Sequence, residues 1–303
     1  MYFRHNMNDR IKAHLALLGA NLFYGAGFTV AKTVMPQLIH PRGFILIRVA
    51  ITTILFWLSY LGSKDMRGGI ERKHWKTLVF CALFGVATNQ LFFFLGLNLT
   101  SPIHASLMML STPILVSLFA VYSLGERLSP NKIIGLILGV SGAITLVLLG
   151  SKESRATNAV LGDLFVLFNA TSYAIYLVMV KPLMQNYRPI IVIRWVFLIG
   201  LFFVLPFGWN DVMAINWTLF GLPQYAAVAF IVICCTFCTY LWNIYALRIL
   251  SPSTAGAYIY LQPVFAAAIA VAFYHEGIGI TKIISSLLIF TGVYLVNAKR
   301  KLV

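Results

Sequence analysis

Two arginines, Arg48 and Arg194, stand inside long apolar runs, seven residues after Pro41 and five after Pro189 respectively. An ionised group in such surroundings is costly and persists where it meets a partner or a ligand. The eight acidic residues are placed differently: Asp9, Asp65, Glu71, Glu126, Glu153, Asp163, Asp211 and Glu276 all fall at the ends of apolar runs or between them. Acid–base or hydrolytic chemistry therefore finds no cluster of carboxylates and histidines to work with. His275-Glu276 is an adjacent pair whose side chains diverge around a helix. Cys235-x-x-Cys238 has the spacing of a redox or zinc half-site, but no further Cys or His ligands stand near it. These cysteines, with Cys81 and Cys234, read as small packing residues, and no metal or cofactor is expected. No glycine-rich phosphate loop is present, which argues against nucleotide-driven chemistry. What remains is non-covalent recognition. Tyr24, Arg48, Asn89, His104, Tyr173, Trp195, Tyr258 and Gln262 are the candidate lining of a cavity that is aromatic, polar and without a carboxylate.

The elements that must position these groups are set by hydropathy. The chain has 303 residues, 60% of them hydrophobic and only 10% charged, whereas a soluble domain carries about a quarter charged. Runs of about 20 apolar residues, enough to cross a bilayer, fall at roughly 13–35, 42–62, 75–98, 102–124, 132–150, 161–182, 189–208, 223–249, 252–274 and 281–298. The first is too long for a signal-peptide core and no small-residue cleavage site follows it, so it is expected to stay as a span. The expected fold is thus all-α, a multi-pass membrane protein of ten transmembrane helices.

A net charge of +15 raises the question of nucleic acid. The basic residues, however, sort by loop. With the N-terminus in the cytoplasm, 16 of the 23 Lys and Arg lie in cytoplasmic segments, five (Lys32, Arg42, Lys152, Arg155 and Lys282) lie outside, and two lie within spans. This asymmetry is the positive-inside pattern. It accounts for the charge without a polyanionic partner, makes the lipid bilayer the surrounding partner, and places both termini in the cytoplasm.

Residues 91–147 align with 241–297 at a constant offset of 150, with 14 identities in 57 positions. Ser101-Pro102, Pro113, Glu126 and Lys132 recur as Ser251-Pro252, Pro263, Glu276 and Lys282. Tyr24 and Lys32 fall opposite Tyr173 and Lys181 at an offset of 149, and Arg48 opposite Arg194 at 146. The chain then divides into a first five-helix copy at 1–150, a linker at 151–158 and a second copy at 159–303. Five is odd, so the copies run in opposite directions across the bilayer. Such inverted repeats place a shared site near the midplane and expose it to each side by rocking one half against the other. Pro113 and Pro263, at matching depth in spans four and nine, are expected to kink them as paired moving elements. Gly135-x-x-x-Gly139 permits close helix approach, within the subunit or at a dimer seam, which leaves a homodimer open.

Tyr24 to Lys32, followed by Pro41 and Arg48, and Gly125-Glu126-Arg127-Leu128 at the end of span four, resemble the signatures of the EamA-like branch of the drug/metabolite transporter superfamily. Tyr24 stands where that family usually has tryptophan, and His275-Glu276 replaces a second Gly-Glu. The resemblance covers essentially the whole chain and implies a ten-helix inner-membrane carrier, with Lys32, Glu126 and Glu276 as repeat-signature residues. It implies a secondary transporter that works outward; the neutral, aromatic lining suits a small metabolite, an amino acid or a related neutral or zwitterionic compound, and the missing catalytic cluster argues against an enzyme. Multidrug or cation efflux is the alternative, but proton-coupled exchange of cations calls for a mid-membrane carboxylate, and the sequence has none. A non-transporting membrane enzyme fits less well still. Glu126 is expected to pair with Arg127 or a neighbouring loop cation, and Lys32 and Lys181 to snorkel from helix ends.

Overall fold

A computed structural model of the chain describes residues 7–61, 69–100, 105, 108–149, 158–274 and 280–297. The described residues form ten helical spans. α1 is Met7–Lys32 and α2 is Pro41–Leu61. α3 runs through Trp75–Ala82, a π-helical stretch Leu83–Thr88, and Asn89–Leu99. α4 includes Ala105, Met108 and Met109 and continues as Thr112–Leu124. α5 is Pro130–Leu149, α6 Ala159–Asn186 and α7 Pro189–Met213. α8 mirrors α3 as Leu222–Val232, a π-helical stretch Ile233–Cys238, and Thr239–Ile249. α9 joins Pro252–Ala257, a 3-10 turn Tyr258–Tyr260 and Leu261–Tyr274, and α10 is Ile280–Asn297. Five stretches are long and apolar enough to span a membrane outright: Pro41–Tyr60, Arg72–Leu99, Val160–Asn186, Pro189–Met213 and Leu222–Ile249. Large apolar side chains such as Leu118, Phe202 and Leu287 are exposed on the outside of the bundle. Solvation by lipid tails accounts for that, because only water makes such exposure costly.

Span ends follow local chemistry. Pro41, Pro130, Pro189 and Pro252 each open a helix, where the missing N–H had no partner to lose. α4 ends at Gly125 with φ of 65°, a left-handed residue that only glycine adopts without strain, and its N–H caps the carbonyl of Ala120.

The two five-helix copies are interlocked. α1 packs against α8 and α9, α6 against α3 and α4, α2 against α7, and α5 against α10. Each of these pairings joins one copy to the other. The expected rocking of one sequence half against the other does not fit this arrangement, because moving α1 to α5 as a body would strip α1 from α8 and α6 from α3. The packing instead groups α1, α8 and α9 on one side and α3, α4 and α6 on the other. α5 and α10 meet through glycines: a side chain at Gly292 would come within 2.6 Å of the Gly135 carbonyl and the Gly139 amide. The Gly135-Gly139 pair is therefore occupied inside the chain.

Neither conserved-depth proline bends a continuous helix. In α4 the helix is interrupted by turn residues Leu110 and Ser111, and Pro113 sits in the first turn of the segment that follows. In α9 the 3-10 turn Tyr258–Tyr260 precedes Leu261, and Pro263 again stands in a first turn. First-turn placement leaves no broken hydrogen bond. The expected kink is a break just before the proline, at the same place in both copies.

Candidate functional site

The π-helical stretches Leu83–Thr88 and Ile233–Cys238 lie 150 residues apart, at equivalent places in the third helix of each copy. A π turn widens the helix and loosens its backbone bonding, and such turns frequently mark functional sites. The carbonyls in and beside the first stretch are met from other helices. Ser172 Oγ donates to the Phe84 carbonyl at 2.6 Å, Tyr240 Oη to Gly85 at 2.8 Å and Asn169 Nδ2 to Asn89 at 2.5 Å. In the second stretch Cys235 Sγ donates to the Phe23 carbonyl at 3.1 Å, and Thr236 Oγ1 to that of Ile231 at 2.7 Å. Side chains thus satisfy backbone groups that lipid cannot.

Between the two stretches lies a cavity with about 130 Å³ available to the centres of water-sized molecules. That is room for one small solute or several waters. Of the eight candidate lining residues, Tyr24, Arg48, Asn89, Tyr173 and Gln262 meet there. Gln90, Asn169, Cys235 and Tyr240 join them, and Phe93, Phe94, Leu97, Met109 and Ile231 supply apolar wall. Repeat-related residues meet in it: Tyr24 and Tyr173 both line it, and Gln90 Nε2 reaches Tyr240 Oη at 3.4 Å across a separation of 150 residues. Gln262 Nε2 donates to Asn21 Oδ1 at 2.9 Å, which fixes α9 to α1. Gln90 Oε1 and Asn169 Oδ1 are buried acceptors with no donor.

Arg48 reaches into this cavity with 8% of its surface exposed. Its Nε and Nη2 both donate to Thr236 Oγ1, at 3.2 and 3.1 Å, and its guanidinium lies 5.2 Å from the Phe94 ring centre and 5.8 Å from that of Phe44. No Asp or Glu is among the described lining residues.

The other candidates lie elsewhere. Trp195 does not line the cavity, because α7 turns that face to α2 and α3. It packs edge-on to Trp57 and Trp75 in a cluster that holds Arg194, whose guanidinium sits 3.3 Å from the Tyr60 ring centre and 4.8 Å from that of Trp57. Tyr258 is also outside it, hydrogen-bonded to His14 Nδ1 at 2.8 Å. His104, Glu276 and the side chain of Lys32 fall outside the described residues.

Where the α1 N-terminus and the α10 C-terminus emerge, here the near face, the two bodies are tied together. Glu126 Oε2, at the end of α4, accepts from Lys132 Nζ at 3.0 Å and from Ser253 Oγ of α9 at 2.7 Å. The partner expected for Glu126 among neighbouring cations is therefore Lys132, in the first turn of α5, rather than Arg127, and the sequence held no hint of Ser253. Lys181 does not snorkel. Its Nζ donates to the carbonyls of Leu247 and Leu250, at 2.5 and 2.7 Å, where the end of α8 leaves them unpaired. At the far face, Arg42 pairs with Asp211 at 3.4 Å and Thr100 donates to Asp163 at 2.6 Å, contacts outside α1, α8 and α9. The cavity lies on that side, walled by Ala31, Leu97 and Met109 near the far ends of their helices.

The sequence matches the EamA-like transporter family twice, over residues 11–148 and again over 160–298. An uncharacterized transporter of Archaeoglobus fulgidus is 26% identical over 291 residues, covering 95% of this chain and 98% of its own. The uncharacterized transporter YyaM of Bacillus subtilis is 21% identical over 284 residues, 93% of this chain and 92% of its own. A solved crystal structure shares the fold, with a TM-score of 0.74 at 20% identity over 93% of this chain and 95% of that one. A cavity with no carboxylate among its described lining residues, set between two interlocked five-helix copies in a chain matched twice by one family, leads to one conclusion: this chain belongs to the EamA-like transporter family and is a multi-pass membrane transporter.

Proposed function

We propose that this protein is a secondary carrier that moves a small metabolite, an amino acid or a related neutral or zwitterionic compound, by alternating access. The observation that carries the reading is the cavity itself. It sits where the inverted copies meet, is lined by Tyr24, Tyr173, Asn89 and Gln262, and lies to one side of a face closed by Glu126, Ser253 and Lys181. Alternation then means that α1, α8 and α9 turn against α3, α4 and α6, breaking the ties at the near face while closing the far one. The helix breaks before Pro113 and Pro263 supply a hinge in one helix of each body.

The excess of Lys and Arg in the segments on the near face supports a cytoplasmic near face with both termini inside, in the inner membrane. In that orientation the cavity is on the outer side. Export as the net direction is supported by the family alone. Cation efflux gains no support from the site: among the described lining residues Arg48 is the charged group, and a cationic drug would meet it without a described counter-charge.

Counterflow in proteoliposomes tests the reading, with amino acids, purines and cationic dyes offered with and without a pH gradient. Exchange of an amino acid or related solute is expected. Folded protein that exchanges none of these classes would refute carriage, and dye exchange driven tightly by the pH gradient would reverse the substrate assignment.

A further inference from the structure

We infer that the solute this cavity holds bears a carboxylate, and that Arg48 selects it. This rests on the carrier reading and adds the substrate's chemical class.

The guanidinium of Arg48 is buried, with 8% of the residue exposed, and it is held inward against Thr236 of α8, so snorkelling does not account for it. Its described hydrogen-bond acceptor is one neutral oxygen, Thr236 Oγ1, at 3.2 and 3.1 Å. The proton of that hydroxyl is committed to the Ile231 carbonyl at 2.7 Å, so its oxygen is turned to Arg48 as an acceptor. The faces of Phe44 and Phe94 add cation–π attraction. A hydroxyl and two rings compensate a desolvated cation only in part, since full compensation takes a counter-charge. None of the described lining residues provides one. The cavity supplies the space for it to arrive with the solute, and a guanidinium offers donors in a planar fork that matches the two oxygens of a carboxylate.

The repeat provides an internal control. Arg194, the mate of Arg48, is as deeply buried, at 4% exposed, but lies over Trp57, Tyr60 and Trp195 and does not face the cavity. A cation at this depth can therefore be held as a structural element, and Arg48 is distinguished by lining the cavity. Phe93, Phe94, Leu97 and Ile231 beside it suit an apolar body attached to the charged head.

The test uses the full chain in lipid nanodiscs and three matched series: propanoate, 4-methylpentanoate and 3-phenylpropanoate, each with its amide and its amine. Affinity is read from calorimetry and from the ligand-induced rise in unfolding temperature. At least one carboxylate should bind about tenfold or more tightly than its amide, the size expected of charge-assisted hydrogen bonds. Arg48→Gln should erase that preference, Arg48→Lys should keep part of it, and Arg194→Gln should leave it intact. If Arg48→Gln does not fold, Thr236→Val keeps the charge but loses its anchor and should weaken carboxylate binding several-fold while sparing the amide. Amides or amines binding as well as the carboxylates, no binding by any carboxylate, or a preference that survives Arg48→Gln would each overturn the inference. Counterflow separates the two readings: a carboxylate preference without exchange sinks carriage alone, and exchange indifferent to head group sinks only the anion site.

Discussion

The near and far ends of this molecule are built from the same segment used twice, yet one is tied and the other walls a cavity. At the near end, Glu126 reaches Ser253 and Lys181 holds the carbonyls of Leu247 and Leu250, so α4 and α6 are bound to α9 and α8. Their repeat equivalents in the sequence are Glu276, Ile103, Lys32, Leu97 and Thr100, of which Glu276, Ile103 and the side chain of Lys32 lie outside the described residues. Most of the chemistry is therefore present twice, and Ser253 against Ile103 is where it departs. An inverted repeat can adopt two arrangements in which its ends exchange roles. The difference between the ends here teaches which contacts must be exchanged.

The largest effect should come from untying the near end. In a background where the native cysteines are replaced, Leu97→Cys reports access from the far side by its rate of reaction with a membrane-impermeant maleimide. Adding Lys181→Met together with Glu126→Gln removes hydrogen bonds to charged groups worth about 1.5–3 kcal/mol each, so the rate should fall by about tenfold or more. An unchanged rate would break the comparison, since the ties would then hold nothing closed. Lys32→Met should act in the opposite sense, with a smaller rise in labelling because the cavity already lies toward the far end. A fall there would show that Lys32 is not the counterpart of Lys181.

Smaller effects sharpen the boundary of the site. Tyr173→Phe and Tyr24→Phe each remove one phenol oxygen from the cavity lining, a loss of about 1 kcal/mol of hydrogen bonding, so solute affinity should change several-fold. Unchanged affinity in both variants would take these phenols out of the site. Trp195→Phe lies in the α2–α3–α7 aromatic cluster and should leave affinity within about twofold, while the unfolding temperature falls. A large loss of binding would return Trp195 to the site.

Much of the fold was legible in the sequence, because a bilayer imposes a length and a polarity on every span. The ten expected runs and the ten helices agree to within a few residues at most ends; α6 and α7 run on to Asn186 and Met213, and α1 begins at Met7 and ends at Lys32, just before the turn that contains Pro36. Inversion followed from counting spans. The depth of Pro113 and Pro263 was visible too, but hydropathy does not say whether a proline bends a helix or starts one. The pairing of α1 with α8 and of α6 with α3 was not legible, since each apolar face suits any other. Nor were the π-helical stretches, whose extra residue per turn leaves no mark on composition. Cys235 looked like packing and is packed, but it also borders the cavity, because the rotation of α8 past its π turn decides what it faces. Lys181 and Ser253 were missed because their partners are a helix end and a carboxylate of another span, distances that a sequence does not carry.

The central claim is that the two ends alternate. Spin labels at Val160 and Leu222 span the far end between α6 and α8, and labels at Arg127 and Arg248 span the near end between α4 and α8. Distances measured by double electron–electron resonance on the two pairs, with and without a transported solute, test the claim most directly. Two populations are predicted, long-far with short-near and short-far with long-near, whose proportions shift together. A single fixed distance at both ends, unmoved by a solute shown to bind, would contradict it.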